Sequence, residues 1–159
     1  MIGPNSPVAA PAKQRIRQAF DQAAPTYDSA ADVQREVCDR LGSHLLESGV
    51  DLAPTAILDA GCGTGYGARW LAERWPCAQL SLIDFAPGML AAARARCARA
   101  ELVCADIEAL PISERRFDLY WSSLAWQWND PRRCLAEAGR VLEPGGVLAV
   151  ATLGTDNFP

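Results

Sequence analysis

Residues 57–67, Ile-Leu-Asp-Ala-Gly-Cys-Gly-Thr-Gly-Tyr-Gly, combine one carboxylate, Asp59, with a loop in which every second residue is glycine. An apolar run, a glycine loop and a predicted helix in this order open a nucleotide-binding βαβ unit, where glycine allows a close approach of the backbone to a ligand. The spacing is not the G-x-G-x-x-G of dinucleotide binders, and Asp59 would repel a pyrophosphate but attract a cation. The loop therefore favours a positively charged ligand such as S-adenosylmethionine, with an ordinary glycine-rich turn as the alternative.

Three consecutive strands of the predicted sheet each end in an aspartate, namely Asp59, Asp84 and Asp106. Ligands of open parallel sheets bind at the carboxyl ends of the strands, where the strand order reverses. A single aspartate at such a place is equally well explained as a helix cap or a solvated strand end. Three of them in register with the glycine loop favour one crevice that all three line.

Asp84 follows the glycine loop by about twenty residues, the distance at which an acid after the second strand reaches the ribose hydroxyls of a nucleotide. Phe85 and Met89 come next in the chain and are predicted to pack on the face of an adenine. Asp106 is predicted to accept a hydrogen bond from the exocyclic amine of that base, with the backbone of Ile107 beside it. These residues predict an adenosyl pocket next to the glycine loop.

The fourth predicted strand runs into an aromatic segment, Trp-Ser-Ser-Leu-Ala-Trp-Gln-Trp, over residues 121–128. An aromatic wall beside an adenosyl pocket would hold a second substrate and exclude water, and Trp126 is the candidate for it, whereas Trp121 is expected in the core. Tyr27 lies at a hinge between two predicted helices, where the residue pattern alone favours packing. His44, the only histidine, is predicted to be a partly exposed helix residue and not a general base.

Strand and helix alternate regularly from Ala56 onward. Strands are predicted at 56–60, 79–84, 101–105, 117–122 and 146–152, with helices between them at 66–75, 87–99 and 131–142. Helices at 13–24 and 30–47 precede the sheet, and residues 13–49 are predicted to form a helical lid over the strand ends. Residues 143–146, Glu-Pro-Gly-Gly, predict a turn before the last strand. The fold class is therefore α/β, a Rossmann-like three-layer sandwich with a parallel sheet, right-handed crossovers and an N-terminal helical extension.

Length and charge limit the classes of protein to which the chain can belong. Its 159 residues suffice for one domain, and a net charge of −4 without a dense Lys/Arg block argues against nucleic acid as a partner. No apolar run reaches the roughly 18 residues of a membrane span, and the proline-rich residues 1–12 predict a disordered tail and not a signal peptide. The six cysteines form no C-x-x-C pair, so we expect no metal site, no disulfide framework and a cytoplasmic location.

Successive stretches of the chain resemble the motifs of class I S-adenosylmethionine-dependent methyltransferases. These stretches are 57–65, 82–90, 105–110, 117–128 and 142–150. The resemblance implies S-adenosylmethionine as the cofactor and a Rossmann-like core over residues 50–159 that binds it. Together with the spacing arguments, it assigns cofactor contacts to Asp59, Gly61, Cys62, Gly63, Gly65, Asp84, Phe85, Met89, Asp106, Ile107 and Ser122.

Residues 16–28, Ile-Arg-Gln-Ala-Phe-Asp-Gln-Ala-Ala-Pro-Thr-Tyr-Asp, narrow the resemblance further. With Val33-Gln34 and residues 118–128, they are similar to the malonyl-carrier-protein O-methyltransferases of biotin synthesis. In that family the tyrosine of the A-x-x-Y-D segment lies at the cofactor and acceptor site, which implies a catalytic role for Tyr27. The implied acceptor is the free carboxylate of a malonyl group on acyl-carrier protein or on coenzyme A. Quinone and other small-molecule methyltransferases share the Y-D segment, so C- or O-methylation of a quinone-type substrate is an alternative.

The chain also departs from that family. Class I methyltransferases continue past the fifth strand through a helix and two more strands, which are absent here, and Ala86 replaces the usual polar cap of helix 87–99. We therefore expect a well-represented cofactor half, slow methyl transfer by this chain, and association through the edge of the last strand. A non-catalytic adenosyl-binding module is the alternative from another class, and a nicotinamide dehydrogenase ranks third. A solvated face, and not a docking site for an acidic carrier protein, is expected from Arg94, Arg96, Arg99, Arg115 and Arg116.

Overall fold

Residues 10–154 are described by the structure, a computed structural model, and residues 1–9 and 155–159 lie outside the described part. The described chain contains five strands: β1 Ala56–Ala60, β2 Gln79–Asp84, β3 Glu101–Cys104, β4 Phe117–Ser123 and β5 Leu142–Ala151. They form one sheet in the order β3-β2-β1-β4-β5, and all neighbouring strands are parallel. The predicted α/β class with a parallel, Rossmann-like sheet is confirmed.

Helices cover both faces of this sheet. The described α-helices are α1 Ala10–Ala23, α2 Asp32–Glu47, α3 Tyr66–Arg74, α4 Pro87–Arg96 and α5 Pro131–Val141, with 3₁₀ turns at Tyr27–Ala30 and Trp126–Trp128. Side chains of α5 pack on one face with Leu58 and Tyr120, while α2 and α3 pack on the other face with Ile57 and Leu119. Because successive strand residues point to opposite faces, β1 and β4 bury apolar side chains on both sides, which gives three layers.

The strand order reverses at β1. The chain runs from β1 through β2 to β3 at one edge of the sheet, and then returns to place β4 and β5 on the other side of β1. The carboxyl ends of β1 and β4 therefore flank the topological switch point, where open parallel sheets bind their ligands. The glycine loop that follows β1 lies at this point.

The segment before the sheet, which we call the N-terminal lid (residues 10–47), comprises α1, the first 3₁₀ turn and α2. Within it, α1 contacts α4, and α2 contacts α3, β4 and β5. Residues 10–12, predicted to belong to a disordered tail, instead form the first turn of α1. Pro11 fits there because the first N–H groups of a helix have no intrahelical partner. The rest of the predicted tail, residues 1–9, lies outside the described residues.

The last strand differs most from its prediction. It starts at Leu142 instead of residue 146, and residues 143–146 bulge out of its pairing with β4. Gly145 has a φ of 86°, so the predicted Glu-Pro-Gly-Gly turn exists, but as a bulge inside the strand. The strand is longer than predicted because β4 pairs with β5 both before and after the bulge. The other predicted elements agree with the structure to within three residues at their ends.

Candidate active site

A cavity of about 110 Å³ lies at the carboxyl ends of β1, β2 and β4, and the N-terminal lid supplies one of its walls. Most residues predicted to contact a cofactor line it, together with Tyr27: Asp59, Gly61, Cys62, Gly63, Asp84, Phe85 and Met89. Four other predicted contacts lie outside the lining: Gly65, Asp106, Ile107 and Ser122. The cavity therefore brings together residues from three strand ends, the glycine loop and the lid.

The glycine loop, residues 61–65, turns the chain from β1 into α3. Its three glycines have φ values from 53° to 87°, in the left-handed region that glycine adopts without strain. The Gly61 N–H donates to the carbonyl of Ile83 at 2.7 Å, which ties the loop to the end of β2. A Cβ on Gly61 would lie only 2.3 Å from the Cβ of Ala125. Conformation and close packing both require glycine at position 61.

Asp84 closes this loop from the end of β2. Its Oδ2 accepts a hydrogen bond from the Gly63 N–H at 2.9 Å, and its Oδ1 accepts one from the Ala86 N–H at 2.9 Å. The second bond supplies a polar partner at the start of α4, which has no capping side chain at Ala86. Burial raises the pKa of Asp84 above its usual value, although the backbone hydrogen bonds act to lower it. The carboxyl group is held at the cavity, and each oxygen keeps a further lone pair for a ligand hydroxyl.

Asp59, at the end of β1, is 2% exposed, and its Oδ2 has no hydrogen-bond partner among the described residues. Burial, reinforced by the charge of Asp84, raises the pKa of Asp59 from 3.8 to about 8. A buried carboxylate without a partner is costly, so the side chain holds its proton until a cation approaches. The position favours a ligand that brings positive charge.

Three further polar atoms at the cavity are buried without a partner among the described residues: Gln34 Oε1, Trp121 Nε1 and Ser123 Oγ. Buried polar atoms in native proteins are nearly always hydrogen-bonded, so unpaired ones require an explanation. Together with Asp59, they offer acceptors and donors around one space. An α-amino-acid group carries the matching ammonium donors and carboxylate acceptors, so these residues fit the methionine part of S-adenosylmethionine.

All three of these atoms belong to residues to which the sequence prediction assigned no cofactor contact. Ser122 was the predicted serine, but its side chain is fully buried and its hydroxyl donates to the Ala60 carbonyl at 2.7 Å. Ser123 lines the cavity instead, because neighbouring strand residues face opposite sides of the sheet. Gln34 lies one helical turn before the buried Cys38, and this spacing was the signal that places it on the inner face of α2.

Tyr27 begins the first 3₁₀ turn and lines the cavity. Its ring centroid lies 6.3 Å from that of Phe20, so the residue also packs at the hinge between helices, as the residue pattern favoured. Burial raises the pKa of Tyr27 above its usual 10, and the charges of Asp84 and Asp28 raise it further. The hydroxyl is therefore protonated at neutral pH and can donate a hydrogen bond into the cavity. A catalytic role for Tyr27 stays a prediction.

Aromatic side chains extend the wall of the cavity around Phe20. Its ring centroid lies 6.1 Å from that of Phe85 and 5.8 Å from that of Trp128, and all three residues line the cavity. Trp126, the predicted wall residue, packs edge-on against Tyr120 at 6.4 Å and lies outside the lining. Trp126 does not line this cavity because residues two apart in a 3₁₀ turn point in different directions, and its contact with an acceptor stays a prediction. The wall therefore comes from Trp128.

Asp106 follows β3 and is connected to the lid. Its Oδ2 accepts a hydrogen bond from Lys13 Nζ at 2.6 Å, and its Oδ1 accepts one from the Glu108 N–H at 3.0 Å. Lys13 also pairs with the Glu108 carboxylate at 2.7 Å. Ile107 is buried in the core on one face of the sheet. The adenine contacts assigned to Asp106 and Ile107 stay predictions, while Asp59 and Asp84 share one cavity.

Residues 10–154 contain no group of three or more His, Cys, Asp or Glu side chains that could hold a metal ion. All six cysteines are free, and burial raises the pKa of the Cys62 thiol in the cavity lining well above its usual value. None of the helices in the described residues is long and apolar enough to cross a membrane. His44 is exposed on α2, as predicted.

Known proteins are similar to this chain in both sequence and fold. Residues 57–146 match a family model described as a methyltransferase domain. The chain is 51% identical over 148 residues to malonyl-[acyl-carrier protein] O-methyltransferase of Dechloromonas aromatica (strain RCB), a match that covers 93% of this chain and 54% of the relative. A protein of the same name from Laribacter hongkongensis (strain HLHK9) is 50% identical over 161 residues, covering 92% and 52%. The chain spans about half the length of the curated relatives it matches.

Solved structures show the same architecture. The [4+2]-cyclase SpnF has a TM-score of 0.73 and 28% identity, with 91% of this chain and 61% of that chain covered. Phosphoethanolamine N-methyltransferase 1 of Haemonchus contortus, in complex with phosphoethanolamine and S-adenosylhomocysteine, has a TM-score of 0.74 and 18% identity, covering 93% and 34%. At 18% identity the likeness shows the fold alone, because one fold hosts many reactions.

The family match covers more than half of the chain, including the glycine loop, Asp59 and Asp84. The resemblance to S-adenosylmethionine-dependent methyltransferases, predicted from the motifs, is thereby confirmed at the level of the family. By its parallel sheet, its glycine loop with two strand-end carboxylates, and this match, the chain belongs to the methyltransferase domain family.

Proposed function

We propose that the chain carries the cofactor site of an S-adenosylmethionine-dependent methyltransferase that methylates the free carboxylate of malonyl-acyl-carrier protein in biotin synthesis. The observation that carries this proposal is the cavity, where the unpaired carboxyl oxygen of Asp59 lies beside the glycine loop and the lid contributes Tyr27. Identity of 51% over 93% of the chain to a relative of that name supports the choice of acceptor.

The cavity residues divide the binding of the cofactor by chemical group. Asp59, once ionised, pairs with the α-ammonium group, and Gln34 and Trp121 hydrogen-bond the same amino-acid part. Asp84 accepts hydrogen bonds from the ribose hydroxyls. The remaining predicted contacts surround the adenine and the loop. The adenine is contacted by Phe85, Met89, Asp106 and Ile107. The cofactor is approached along the loop by Gly61, Cys62, Gly63 and Gly65, and Ser122 supports β1 from the neighbouring strand.

S-adenosylmethionine supplies a methyl group on a sulfonium, which is transferred to a nucleophile by in-line displacement. A malonyl carboxylate is already ionised at neutral pH, so this chain needs no general base. Tyr27 donates its hydroxyl proton in a hydrogen bond to one acceptor oxygen, which leaves the other oxygen free to react. Phe20 and Trp128 exclude water beside it. The contribution of the protein is therefore alignment.

The proposed partner is an acyl-carrier protein, with malonyl-coenzyme A as a smaller acceptor of the same chemistry. Arg96 pairs with Asp28, and Arg116 pairs with Glu101 at 3.0 Å. Because both guanidinium groups are already paired within the chain, these contacts favour no docking site for an acidic carrier protein at these arginines. The cytoplasm is the proposed location, because six free thiols suit a reducing compartment.

A second candidate function is favoured by one specific observation. SpnF, whose name is that of a cyclase, is 28% identical to this chain and has a TM-score of 0.73. The fold thus accommodates reactions other than methyl transfer, and an adenosyl-binding module without that activity is the alternative. Within the methyltransferases, a quinone-type acceptor is the second choice, because the Y-D segment is shared.

Two measurements on the purified chain test the proposal. Calorimetric titration should detect binding of S-adenosylmethionine and S-adenosylhomocysteine but not of NAD. Methyl transfer should occur, slowly, to malonyl-acyl-carrier protein and not to acetyl-acyl-carrier protein, the matched control without a free carboxylate. Transfer to a quinone alone would contradict the acceptor, and binding without any transfer would favour the adenosyl-binding module. Binding of NAD alone would contradict the cofactor.

The isolated chain is also proposed to associate through β5. In the described residues this strand forms an edge of the sheet, and Leu148 on it is 39% exposed. Backbone groups on an open edge pair with other chains, and a lysine on the edge suppresses this pairing. We expect concentration-dependent association in sedimentation velocity, which Leu148→Lys should reduce. A wild-type monomer at high concentration would contradict this prediction.

A further inference from the structure

The turn that carries Tyr27 is fastened to the core through the next residue, Asp28. Thr64 Oγ1 donates a hydrogen bond to Asp28 Oδ1 at 2.7 Å. The Arg96 guanidinium donates to both carboxylate oxygens of Asp28, and its Nη2 pairs with Oδ2. Arg96 Nη1 also donates to the hydroxyl of Thr64 at 2.8 Å and to its carbonyl at 3.0 Å. We call Asp28, Thr64 and Arg96 the clasp.

The clasp joins three elements: the first 3₁₀ turn, the glycine loop and the last residue of α4. Thr64 is only 3% exposed, so its hydroxyl is a fixed point on the core. Burial acts to raise the pKa of Asp28, but hydrogen bonds from Arg96 and Thr64, with the charges of Arg96 and Arg35, lower it overall. Asp28 is therefore ionised at neutral pH, and a carboxylate that both guanidinium nitrogens contact has a defined orientation.

This anchor fixes the backbone that carries Tyr27. Asp28 is bonded directly to Tyr27 in the chain, and the carbonyl of Asp28 accepts a hydrogen bond from Arg35 Nη1 of α2 at 2.7 Å. The side chain of Asp28 is thus held by the core, and its main chain is held by the lid. Both contacts restrict the rotation of the turn, and with it the direction in which the Tyr27 side chain points.

The helix before the turn, α1, is held to the core by contacts of its own. Asp21 Oδ1 accepts a hydrogen bond from the Gly88 N–H at 2.8 Å, and so supplies α4 with a capping side chain from α1. Lys13 bonds to Asp106 at 2.6 Å, near the other end of α1. These contacts do not involve the clasp, so α1 stays in place when the clasp opens. Loss of the clasp is therefore expected to free the turn alone.

We propose that Asp28 is a positioning residue that holds Tyr27 over the cavity through the clasp and thereby sets the lifetime of a ligand bound beneath the lid. The cavity measures about 110 Å³. Typical ligand sites enclose roughly 300 Å³ or more, so an adenosyl ligand needs more room than this cavity offers, and the lid that carries Tyr27 forms one of its walls. The identity of that ligand rests on the proposed function, whereas the contacts of the clasp do not.

The test compares Asp28→Asn and Arg96→Gln with the wild-type chain. Hydrogen–deuterium exchange of residues 26–31 is measured without ligand, and the dissociation rate of S-adenosylhomocysteine is measured by stopped flow. We expect both rates to increase about tenfold in each variant, which corresponds to about 1.4 kcal/mol, while exchange in the sheet stays unchanged. The double variant Asp28→Arg with Arg96→Asp restores opposite charges at the two positions and should recover most of the wild-type exchange and dissociation rates.

Glu36→Gln is the matched control, because Glu36 pairs with Arg40 at 3.9 Å in the same lid and its side chain is 70% exposed. It should change neither rate. A folded Asp28→Asn protein with wild-type exchange would overturn the proposal, and so would faster exchange with an unchanged dissociation rate. Arg96→Gln decides the matter if Asp28→Asn does not fold. Failure of the wild-type chain to bind S-adenosylhomocysteine would count against the proposed function, while exchange would still test whether the clasp holds Tyr27.

Discussion

The aspartates at the carboxyl ends of the first three strands have different partners in the structure. At the glycine loop, Asp59 and Asp84 face one cavity, and Asp84 is held there by backbone N–H groups. At the end of β3, Asp106 is paired with Lys13 of the lid. A carboxylate held by backbone amides is presented to a ligand, whereas one paired with a lysine of the lid fastens that lid. The same residue type thus has different roles, which depend on the group that the tertiary structure brings opposite it.

The largest effect should come from Gly61→Ala at the glycine-loop end. The new Cβ would lie 2.3 Å from that of Ala125, at a φ of 79°. Overpacking and left-handed strain together should lower the free energy of unfolding by about 2–4 kcal/mol in urea titrations. Gly139→Ala in α5 is the control, because a Cβ there meets nothing within 4 Å. That control variant should have a free energy of unfolding roughly 0.5–1 kcal/mol higher than the wild type. Equal stability of the two variants would contradict the close approach at Gly61.

The comparison between the two ends is tested directly by Asp84→Ala and Asp106→Ala. Loss of charge-assisted hydrogen bonds to the ribose should cost Asp84→Ala about 1.5–3 kcal/mol of S-adenosylhomocysteine binding. Asp106→Ala should cost less, about 1 kcal/mol, since Lys13 already occupies one of its oxygens. Calorimetric titration measures both values. A larger loss at Asp106 would show that the adenine end dominates binding and would reverse the comparison.

The protonation of Asp59 predicts a pH dependence of binding. Its pKa of about 8 means that the ligand-free side chain is mostly neutral at pH 7. Because a cation binds the ionised form, affinity for S-adenosylmethionine should rise between pH 6 and 7.5 by up to about tenfold per unit, before the ligand's own α-ammonium titrates near 8. Asp59→Asn should show weaker and nearly pH-independent binding. A flat wild-type profile would mean that Asp59 does not face the cation.

The same residue predicts an opposite effect on stability. The folded pKa of Asp59, about 8, lies above the ordinary 3.8, so the folded state binds the proton more tightly. This contribution to stability is present below about pH 4 and is lost as the pH rises through 8. Asp59→Asn removes this pH-dependent loss of stability. The variant should therefore melt a few degrees above the wild type at pH 8, as measured by calorimetry without ligand. A lower melting temperature at that pH would contradict the burial of an unpaired carboxyl.

The smallest effect is expected at the lid end, from Lys13→Met. This change removes the partner of Asp106 and of Glu108, whose side chain is 8% exposed. We expect a loss of about 1 kcal/mol in unfolding free energy, because Glu108 keeps a contact with the Asp130 N–H at 2.7 Å. Affinity for S-adenosylhomocysteine should change less than about threefold. A large loss of affinity with unchanged stability would make Lys13 part of the binding site and not a fastening.

The sequence alone determined the sheet, its helices and the glycine-loop end of the site. Periodicity of two or 3.6 residues marks strands and helices locally, and glycines at alternate positions mark the loop. The rule that parallel strand ends meet at one edge predicted a crevice shared by Asp59, Asp84 and Asp106, and in the structure Asp59 and Asp84 line the cavity whereas Asp106 does not. Each of these signals lies within one element or follows from the rules by which elements connect, so no knowledge of side-chain packing was needed.

Only the tertiary structure decided which side chains meet. The choice of Ser123 over Ser122, and of Trp128 over Trp126, depends on the direction of single side chains at the end of an element, where the periodic pattern stops. Pairs such as Lys13 with Asp106, 93 residues apart, and Asp28 with Arg96, 68 residues apart, leave no periodic trace. Such partners are set by how the lid packs on the core. From the sequence alone, a charged residue on a helix that contacts solvent cannot be distinguished from one that pairs with a distant carboxylate.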